Sequence, residues 1–328
     1  MRVAVLGLAH VHVEAYLTLL GTLPGVELIG CAERDGAALT TRPMGGAHLF
    51  PDVTALLAER PDAVIICSET LHHRLLVEQA AAAGAHILCE KPIATTLEDA
   101  LAMQGVCRDH GVQFMTAFPM RFDPTMLQAR QIVQHGQLGK VLGVVGVNHS
   151  VNPASHDAWF ADPVLAGGGA VMDHVVHLAD LYRWLFASDV REVYAALGRP
   201  PGSAVETSGL LFVTLGSGIY ASIDCSWSRP PRYPRWGHLR LEIVGELGVL
   251  RADPFAEYLN VSGPSGNAWS GFAPDANRAM LLAFLESVQY HVQPPVTWLD
   301  GYRALQVALG AYTSDAAGQP TKLPPPED

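Results

Sequence analysis

The sequence is short of charge and of long apolar runs, and each shortage excludes a class of protein. Charged residues make up 16% of the 328 residues, and 21 lysines and arginines face 32 aspartates and glutamates. The net charge of −11 argues against nucleic acid or an anionic membrane surface as a partner. No apolar run approaches the roughly 20 residues of a membrane span. We therefore expect neither nucleic-acid nor membrane partners.

Cysteine is also scarce. The five cysteines follow neither the spacing of a metal site nor that of a disulfide framework. Cys31, Cys67 and Cys89 each lie in an apolar run and are most simply small buried hydrophobic residues. The apolar run at the amino terminus is too short for a cleavable signal peptide. These features predict a cytoplasmic protein.

What the chain has is enough apolar material for more than one core. Hydrophobic residues make up 49% of the sequence, well outside the composition of disordered proteins. A chain of this length exceeds one ordinary core, so two domains are expected. We predict one domain over residues 1–120 and a second over residues 121–328.

In the first 120 residues, short apolar runs alternate regularly with helical segments. Strands without polar interruption that alternate with helices indicate a parallel sheet covered on both faces. The sequence therefore predicts an α/β, doubly wound (Rossmann) amino-terminal domain. The predicted strands are Arg2–Leu6, Val26–Ala32, Ala63–Ser68, Ile87–Glu90 and Gln113–Ala117.

Beyond residue 121 the pattern changes to longer strands separated by turn signals. Val141–His149 is a long β-like run, and glycine pairs such as Gly216 and Gly218 are typical of hairpin turns. Ala170–Leu185 is a long helix that follows three consecutive glycines. This half predicts a carboxy-terminal α+β domain with a large, mostly antiparallel, open-faced sheet and helices on one face.

A dinucleotide site is indicated after the first strand, although its glycine fingerprint G-x-G-x-x-G is incomplete. Gly7 is present, but Ala9 and His12 replace the second and third glycines. Glu33 ends the second strand about twenty residues later, where a carboxylate accepts the ribose hydroxyls of NAD. Arg34 beside it could tolerate the 2′-phosphate of NADP. NAD is favoured, with NADP possible.

His10 and His12 have the H-x-H spacing of some metal ligands. Their place at the start of the first helix favours a position beside the pyrophosphate, or simple packing. No metal site is predicted.

A candidate proton-transfer set comes from two separate motifs. Lys91 follows a short buried strand, where its charge is costly to bury unless paired or used. Asp173 and His177 are four residues apart, which places both on one face of a helix. Each residue could instead be structural: a surface lysine, a carboxylate favoured by the helix dipole, and a packed histidine.

These motifs together resemble the Gfo/Idh/MocA family, which includes glucose–fructose oxidoreductase and inositol dehydrogenase. The most specific marks are Cys89-Glu-Lys-Pro92 and the segment from Gly167 to His177. The segments Cys67–His73 and Arg121–Pro124 also match. The chain departs from the family at Ala9 and His12, and at Val175, where the D-x-G-x-H motif has glycine.

The resemblance implies a catalytic set of Lys91, Asp173 and His177. His177 would be the base, because an imidazole titrates near pH ~6.5. The implied cofactor contacts are Gly7, Ala9, His10, Val11, His12, Glu33, Arg34, Ser68, Glu69, His73, Glu90 and Lys91. The implied substrate contacts are Lys91, Arg121, His149, His156, Trp159, Asp173 and His177. For the loop residues His149, His156 and Trp159, anchoring of the loop is an equal alternative.

The implied function is transfer of a hydride between NAD(P) and a secondary alcohol of a sugar, polyol or inositol-like substrate. Two alternatives stay open: redox-assisted glycoside cleavage or elimination with recycled NAD, and a non-catalytic sensor that binds nucleotide or sugar. The resemblance also implies a homodimer or homotetramer, since relatives often pair through the open sheet face.

Overall fold

The computed structural model describes residues 1–34, 46–233, 237–256, 258–263, 266–271 and 274–324. Within that part the chain forms two compact units, and each is made from separate stretches of sequence. The first unit is Met1–Phe118 with Val164–Gly167 and Asn277–Tyr302. The second is Pro119–Pro163 with Gly168–Ala276 and Arg303–Asp328.

The first unit begins with strands and helices in strict alternation. Its elements are β1 (Arg2–Leu6), α1 (Val13–Leu20), β2 (Glu27–Ala32), α2 (Val53–Ala58), β3 (Ala63–Ile66), α3 (His73–Ala82), β4 (His86–Cys89), α4 (Leu97–Asp109) and β5 (Phe114–Thr116). Side-chain caps start two of the helices. Asp52 accepts a hydrogen bond from the Ala55 amide, and Thr96 accepts one from the Asp99 amide.

The five strands form a parallel sheet in the order β2-β1-β3-β4-β5. All residues of β3, and Val3–Leu6 of β1, are fully buried, as expected for strands covered on both faces. An isolated parallel bridge joins Cys31 of β2 to Leu49. With this bridge at the edge, the strand order matches that of a dinucleotide-binding sheet. The predicted Rossmann architecture is confirmed.

A late segment of the chain packs onto the β5 edge of this unit. This segment, residues 277–302, contains most of helix α7 (Ala276–Tyr290). The Gln113 side-chain amide donates to the carbonyls of Ser287 and Val292. The Thr116 hydroxyl donates to the Thr297 carbonyl. The predicted first domain, residues 1–120, does not include this segment. Long-range contacts of this kind leave no local pattern in the sequence from which they could be predicted.

The second unit is built around one large sheet and a buried helix. Its elements are α5 (Pro124–Gln134), β6 (Val141–Val151), α6 (Ala170–Phe186), β7 (Val190–Gly198), β8 (Ser208–Leu215), β9 (Tyr220–Arg229), β10 (Gly237–Gly245), β11 (Gly248–Ala252), β12 (Tyr258–Gly263), β13 (Gly266–Gly271), the later part of α8 (Trp298–Ala317) and β14 (Thr321–Lys322). The hairpin of β12 and β13 was not predicted. Near the carboxyl terminus, Thr321–Lys322 form β14, which pairs with β7.

The sheet order is β11-β10-β6-β9-β8-β7-β14, and only the β6–β9 pairing is parallel within the described residues. The predicted mostly antiparallel sheet is confirmed. Helix α6 covers one face. A Cβ atom at Gly146 of β6 would lie 2.1 Å from the Tyr182 hydroxyl of α6, and that hydroxyl donates to the Ser222 carbonyl. In the described part of the chain, no helix is both long and apolar enough to cross a membrane.

Candidate active site

The carboxyl ends of β1, β2, β3 and β4 meet at one edge of the first sheet, and the chain reverses its strand order between β1 and β3. Ligands of open α/β sheets bind at such a switch point. Gly7 turns the chain there with φ +73°, and a Cβ at Gly7 would lie 2.5 Å from the Ser68 Cβ. The first glycine of the fingerprint is therefore required by both its φ angle and its contact.

Glu33 is joined to this turn. Its Oε2 accepts a hydrogen bond from the Leu8 amide at 2.9 Å, and its Oε1 accepts one from the Arg34 amide at 2.8 Å. The Arg34 guanidinium lies 3.2 Å from Nδ1 of His72. The carboxylate predicted for the ribose is thus oriented by the glycine turn itself.

Two histidines of the incomplete glycine turn, His10 and His12, face the carboxylate of Glu90, which is fully buried. Nδ1 of His12 lies 2.8 Å from Oε1 of Glu90, and the Tyr16 hydroxyl donates to the same oxygen at 2.6 Å. Burial opposes ionisation of Glu90. The imidazoles of His10 and His12 and the ammonium group of Lys91 outweigh it and hold the pKa of this carboxyl well below its usual range.

His10, His12 and Glu90 each offer one ligand atom, and these atoms lie within 4.8 Å of one another. Such a set resembles the ligands of zinc. The Glu90 carboxylate, however, already accepts hydrogen bonds from Tyr16 and from the Lys91 amide. We interpret the group as a hydrogen-bonded cluster that ties the glycine turn to the end of β4. The absence of a metal site stays a prediction.

Lys91 is held at the end of β4 by this cluster. Its amide donates to Oε2 of Glu90 at 3.0 Å, and the residue is only 4% exposed. A buried lysine is costly unless it is paired or used. The nearby Glu90 carboxylate supplies the opposite charge that lowers this cost.

Three predicted cofactor residues follow β3. Ser68 is buried against Gly7, and Glu69 is half-buried. His73 is buried, with Nδ1 3.1 Å from the Ile93 carbonyl and Nε2 3.3 Å from the Ser68 carbonyl. Burial lowers the pKa of His73. Its two nitrogens face backbone oxygens of the protein, so its role in this unit is to hold the β3 end against the segment that follows Lys91.

In the second unit, helix α6 presents Asp173 and His177. Both are half-buried, whereas the three residues between them are buried. The Trp227 indole donates to Oδ2 of Asp173 at 3.0 Å, and Nε2 of His174 lies 3.1 Å from the same oxygen. The predicted shared face is present, and two unpredicted side chains hold the aspartate. The joint action of these residues with Lys91, which belongs to the first unit, stays a prediction.

A serine, a histidine and an aspartate meet beside α6, but they do not form a hydrolase triad. Ser150 Oγ lies 3.1 Å from Nε2 of His174, the nitrogen that also faces Asp173. In a triad the aspartate holds the opposite nitrogen from the serine. Here that nitrogen, Nδ1, lies 2.8 Å from the Asn148 carbonyl.

Arg121, a predicted substrate contact, is paired with a carboxylate of the same unit. Its Nε and Nη2 donate to the two carboxylate oxygens of Asp180 on α6, at 2.8 and 2.5 Å. Both residues are buried. A bidentate pair of this kind is strong and specific in geometry, so Arg121 anchors α6, and its contact with substrate stays a prediction.

His149 is likewise not brought together with Asp173 and His177. Neighbours on a strand point to opposite faces, and Asn148 bonds to the His174 carbonyl on the α6 side. His149 points to the other face, where its Nε2 lies 2.9 Å from Asp224. Of the loop residues, His156 is exposed, and Trp159 stacks on Phe160 with ring centroids 4.0 Å apart.

The comparisons with known proteins agree with the sequence motifs and with both units. A family model described as "Oxidoreductase family, NAD-binding Rossmann fold" matches residues 1–118. A second, described as "GFO/IDH/MocA C-terminal domain", matches residues 126–251. Each model lies almost entirely within one compact unit, and together they cover more than half of the chain.

Among similar proteins is an inositol 2-dehydrogenase from Acidothermus cellulolyticus, 29% identical over 97% of this chain and 94% of its own. Another is a scyllo-inositol 2-dehydrogenase (NAD(+)) from Bacillus subtilis, 27% identical over 98% and 96%. Among solved structures, a scyllo-inositol dehydrogenase from Lactobacillus casei with bound NAD(H) and scyllo-inositol has a TM-score of 0.82. It shares 21% identity, and the match covers 98% of this chain and 99% of that one.

Proposed function

The chain belongs to the Gfo/Idh/MocA family of NAD-dependent oxidoreductases, and on that premise we propose that it oxidises a secondary alcohol of a sugar, polyol or inositol-like substrate. The observation that carries the proposal is the pair Asp173 and His177, half-buried side by side on a buried helix whose aspartate is fixed by Trp227. An ionisable pair held in this way on a rigid element is typical of a site prepared for chemistry.

The residues of the first unit fit NAD. The Gly7 turn lies at the switch point of the sheet, and the Glu33 carboxylate lies at the end of β2 beside that turn. Ala9 and His12 replace glycines, and the bonds of His12 and Tyr16 to Glu90 support the turn in their place. When bound, NAD supplies the hydride acceptor.

The proposed roles of the side chains follow from their chemistry. His177 takes the proton of the substrate hydroxyl, Lys91 stabilises the negative charge that develops on that oxygen, and Asp173 orients the hydroxyl. A positioned base contributes about 10²–10⁴-fold, and charge stabilisation contributes a similar factor.

The test is a panel of inositols, aldoses and sugar alcohols incubated with NAD, with NADH formation as the readout. We expect net NADH with at least one polyol or sugar. Cleavage of a glycoside without NADH accumulation would favour the recycled-NAD alternative. Tight NAD binding with no turnover on any compound would favour the sensor. The dehydrogenase relatives support neither alternative.

We expect Glu33→Ala to weaken NAD binding and to improve tolerance of NADP. The change removes the acceptor of the ribose hydroxyls and the charge that repels a 2′-phosphate, while Arg34 remains. Calorimetric titration with NAD and with NADP measures both effects. Glu27→Ala, at the other end of β2, is the matched control. Unchanged NAD affinity in Glu33→Ala would reject the assignment.

We also propose that the protein forms a homodimer or homotetramer through the face of the second sheet opposite α6. Large apolar side chains on that face are 41–69% exposed, and patches of this kind mark interaction surfaces. They are Val145, Tyr194, Leu210, Phe212, Tyr220 and Val249. Light scattering would measure the mass in solution. We also propose a cytoplasmic location, which is supported by the five buried cysteines with free thiols.

A further inference from the structure

We infer that Glu206, which lies outside the proposed catalytic set, is a positioning residue that sets the first turn of α6 and thereby aims Asp173 and His177. The inference rests on the proposed function, because it takes those two side chains as active-site groups. Glu206 lies in the connection between β7 and β8.

Helix α6 begins without a cap of its own. Its N-cap residue is Gly169, which has no side chain to accept the first amides of the helix. These amides need partners from elsewhere. Oε1 of Glu206 accepts from the Gly169 amide at 3.0 Å and from the Val171 amide at 2.9 Å, and the Glu206 carbonyl accepts from Ala170 at 3.1 Å.

A third donor reaches the same carboxylate oxygen. The Tyr312 hydroxyl donates to Oε1 of Glu206 at 2.9 Å. Burial, followed by the charge of Glu206, raises the pKa of Tyr312, so the phenol keeps its proton and remains a donor. Glu206 is only 1% exposed, and a buried carboxylate is tolerated when hydrogen bonds and a helix amino terminus compensate its charge.

The glycines before α6 are shaped to this arrangement. A Cβ at Gly168 would lie 2.0 Å from the Tyr312 hydroxyl, and one at Gly169 would lie 2.1 Å from the Glu206 carbonyl. Both approaches are too close for any side chain. The glycine run before α6 therefore leaves the space in which Glu206 and Tyr312 approach the start of the helix.

The same connection also reaches the tryptophan that holds Asp173. The Thr207 carbonyl, next to Glu206, accepts from the Trp227 amide at 2.9 Å, and the Trp227 indole donates to Asp173. The start of α6 and the partner of Asp173 are thus fixed by two consecutive residues. A displacement of about 1 Å at a reacting group can cost about 10²-fold in rate, so loss of this support should reach the chemistry.

The test compares Glu206→Gln, Glu206→Ala and Glu206→Asp. Glutamine keeps an oxygen at the Oε1 position and loses the charge, alanine loses both, and aspartate keeps the charge but is one methylene too short. We expect kcat to fall about 10–100-fold in the alanine and aspartate variants and to stay within about threefold of wild type in the glutamine variant. The KM for NAD should not change in any of them, because the NAD-binding residues belong to the first unit.

Hydrogen exchange of the α6 amides provides a readout that needs no turnover. The Gly169 and Val171 amides should exchange faster in the alanine and aspartate variants and as in wild type in the glutamine variant. Glu246→Ala, an exposed carboxylate of the same unit, is the matched control. Thermal melts define a temperature at which every variant is folded.

Two kinetic results would overturn the inference. One is an alanine variant that keeps more than about a third of wild-type kcat. The other is a glutamine variant as impaired as the alanine variant, which would assign the effect to charge. If wild type oxidised no polyol or sugar, the proposed function would fail. Unchanged amide exchange in Glu206→Ala would separately reject the cap.

Discussion

Lys91→Met is expected to abolish turnover while NAD binding stays nearly intact. Methionine keeps the length and the apolar stem of lysine and removes only the charge that would stabilise the substrate oxygen. We expect kcat and kcat/KM to fall together by about 10²–10⁴-fold, as for an interaction made mainly in the transition state. Steady-state kinetics on the true substrate, with calorimetric titration of NAD, measures both parts.

The fold should tolerate this change because Glu90 keeps its other partners. The carboxylate still accepts from Tyr16 and from the backbone amide of residue 91, and still faces His12. Lys140→Met, at an exposed lysine of the second unit, makes the same chemical change away from the site. More than about a tenth of wild-type activity in Lys91→Met would make Lys91 a structural residue and strengthen the sensor alternative.

The parallel half of the fold could be predicted because its strands are buried on both faces. Apart from Arg2, the first residue of β1, the strands β1 and β3 carry no polar residue. Their apolar runs are therefore easy to distinguish from the helical segments between them. The attachment of residues 277–302 to this unit left no such signal. It depends on Gln113 and Ser287, which are 174 residues apart in the chain.

The polar residues at the strand ends were predictable by type and position, but their partners were not. Glu90 was recognised in its motif, whereas its bond to His12 joins residues 78 apart. In the sequence, His12 is recognisable only as the replacement of a fingerprint glycine. The structure shows that its imidazole contacts the Glu90 carboxylate. Trp227, which holds Asp173, is 54 residues away from it and lies in a segment with no motif.

His149 and Arg121 illustrate a different limit. The family resemblance implied substrate contacts for both. The sheet face to which His149 points depends on the pairing register of β6 with its neighbouring strands. A shift of one residue would turn its side chain to the face that α6 covers. Arg121 is neutralised by Asp180, 59 residues away, and sequence alone does not reveal such a pairing.

His177→Ala is expected to reduce turnover about 10²–10⁴-fold, since it removes the proposed base. NAD affinity should be unchanged, because His177 belongs to the second unit and the proposed NAD-binding residues belong to the first. The activity that remains should also lose the acidic limb of the pH–rate profile, because that limb reports protonation of the base. His135→Ala, at an exposed histidine of the same unit, is the control.

The double variant Lys91→Met/His177→Ala tests whether the two units act on one substrate. Residues that serve the same step are not additive, and removal of either costs much of what removal of both costs. We therefore expect the loss of the double variant to be smaller than the product of the two single losses. A double variant whose loss equals that product would show that Lys91 and His177 act independently. A His177→Ala enzyme that retained the wild-type pH–rate profile would mean that another group takes the proton, with Asp173 the next residue to test.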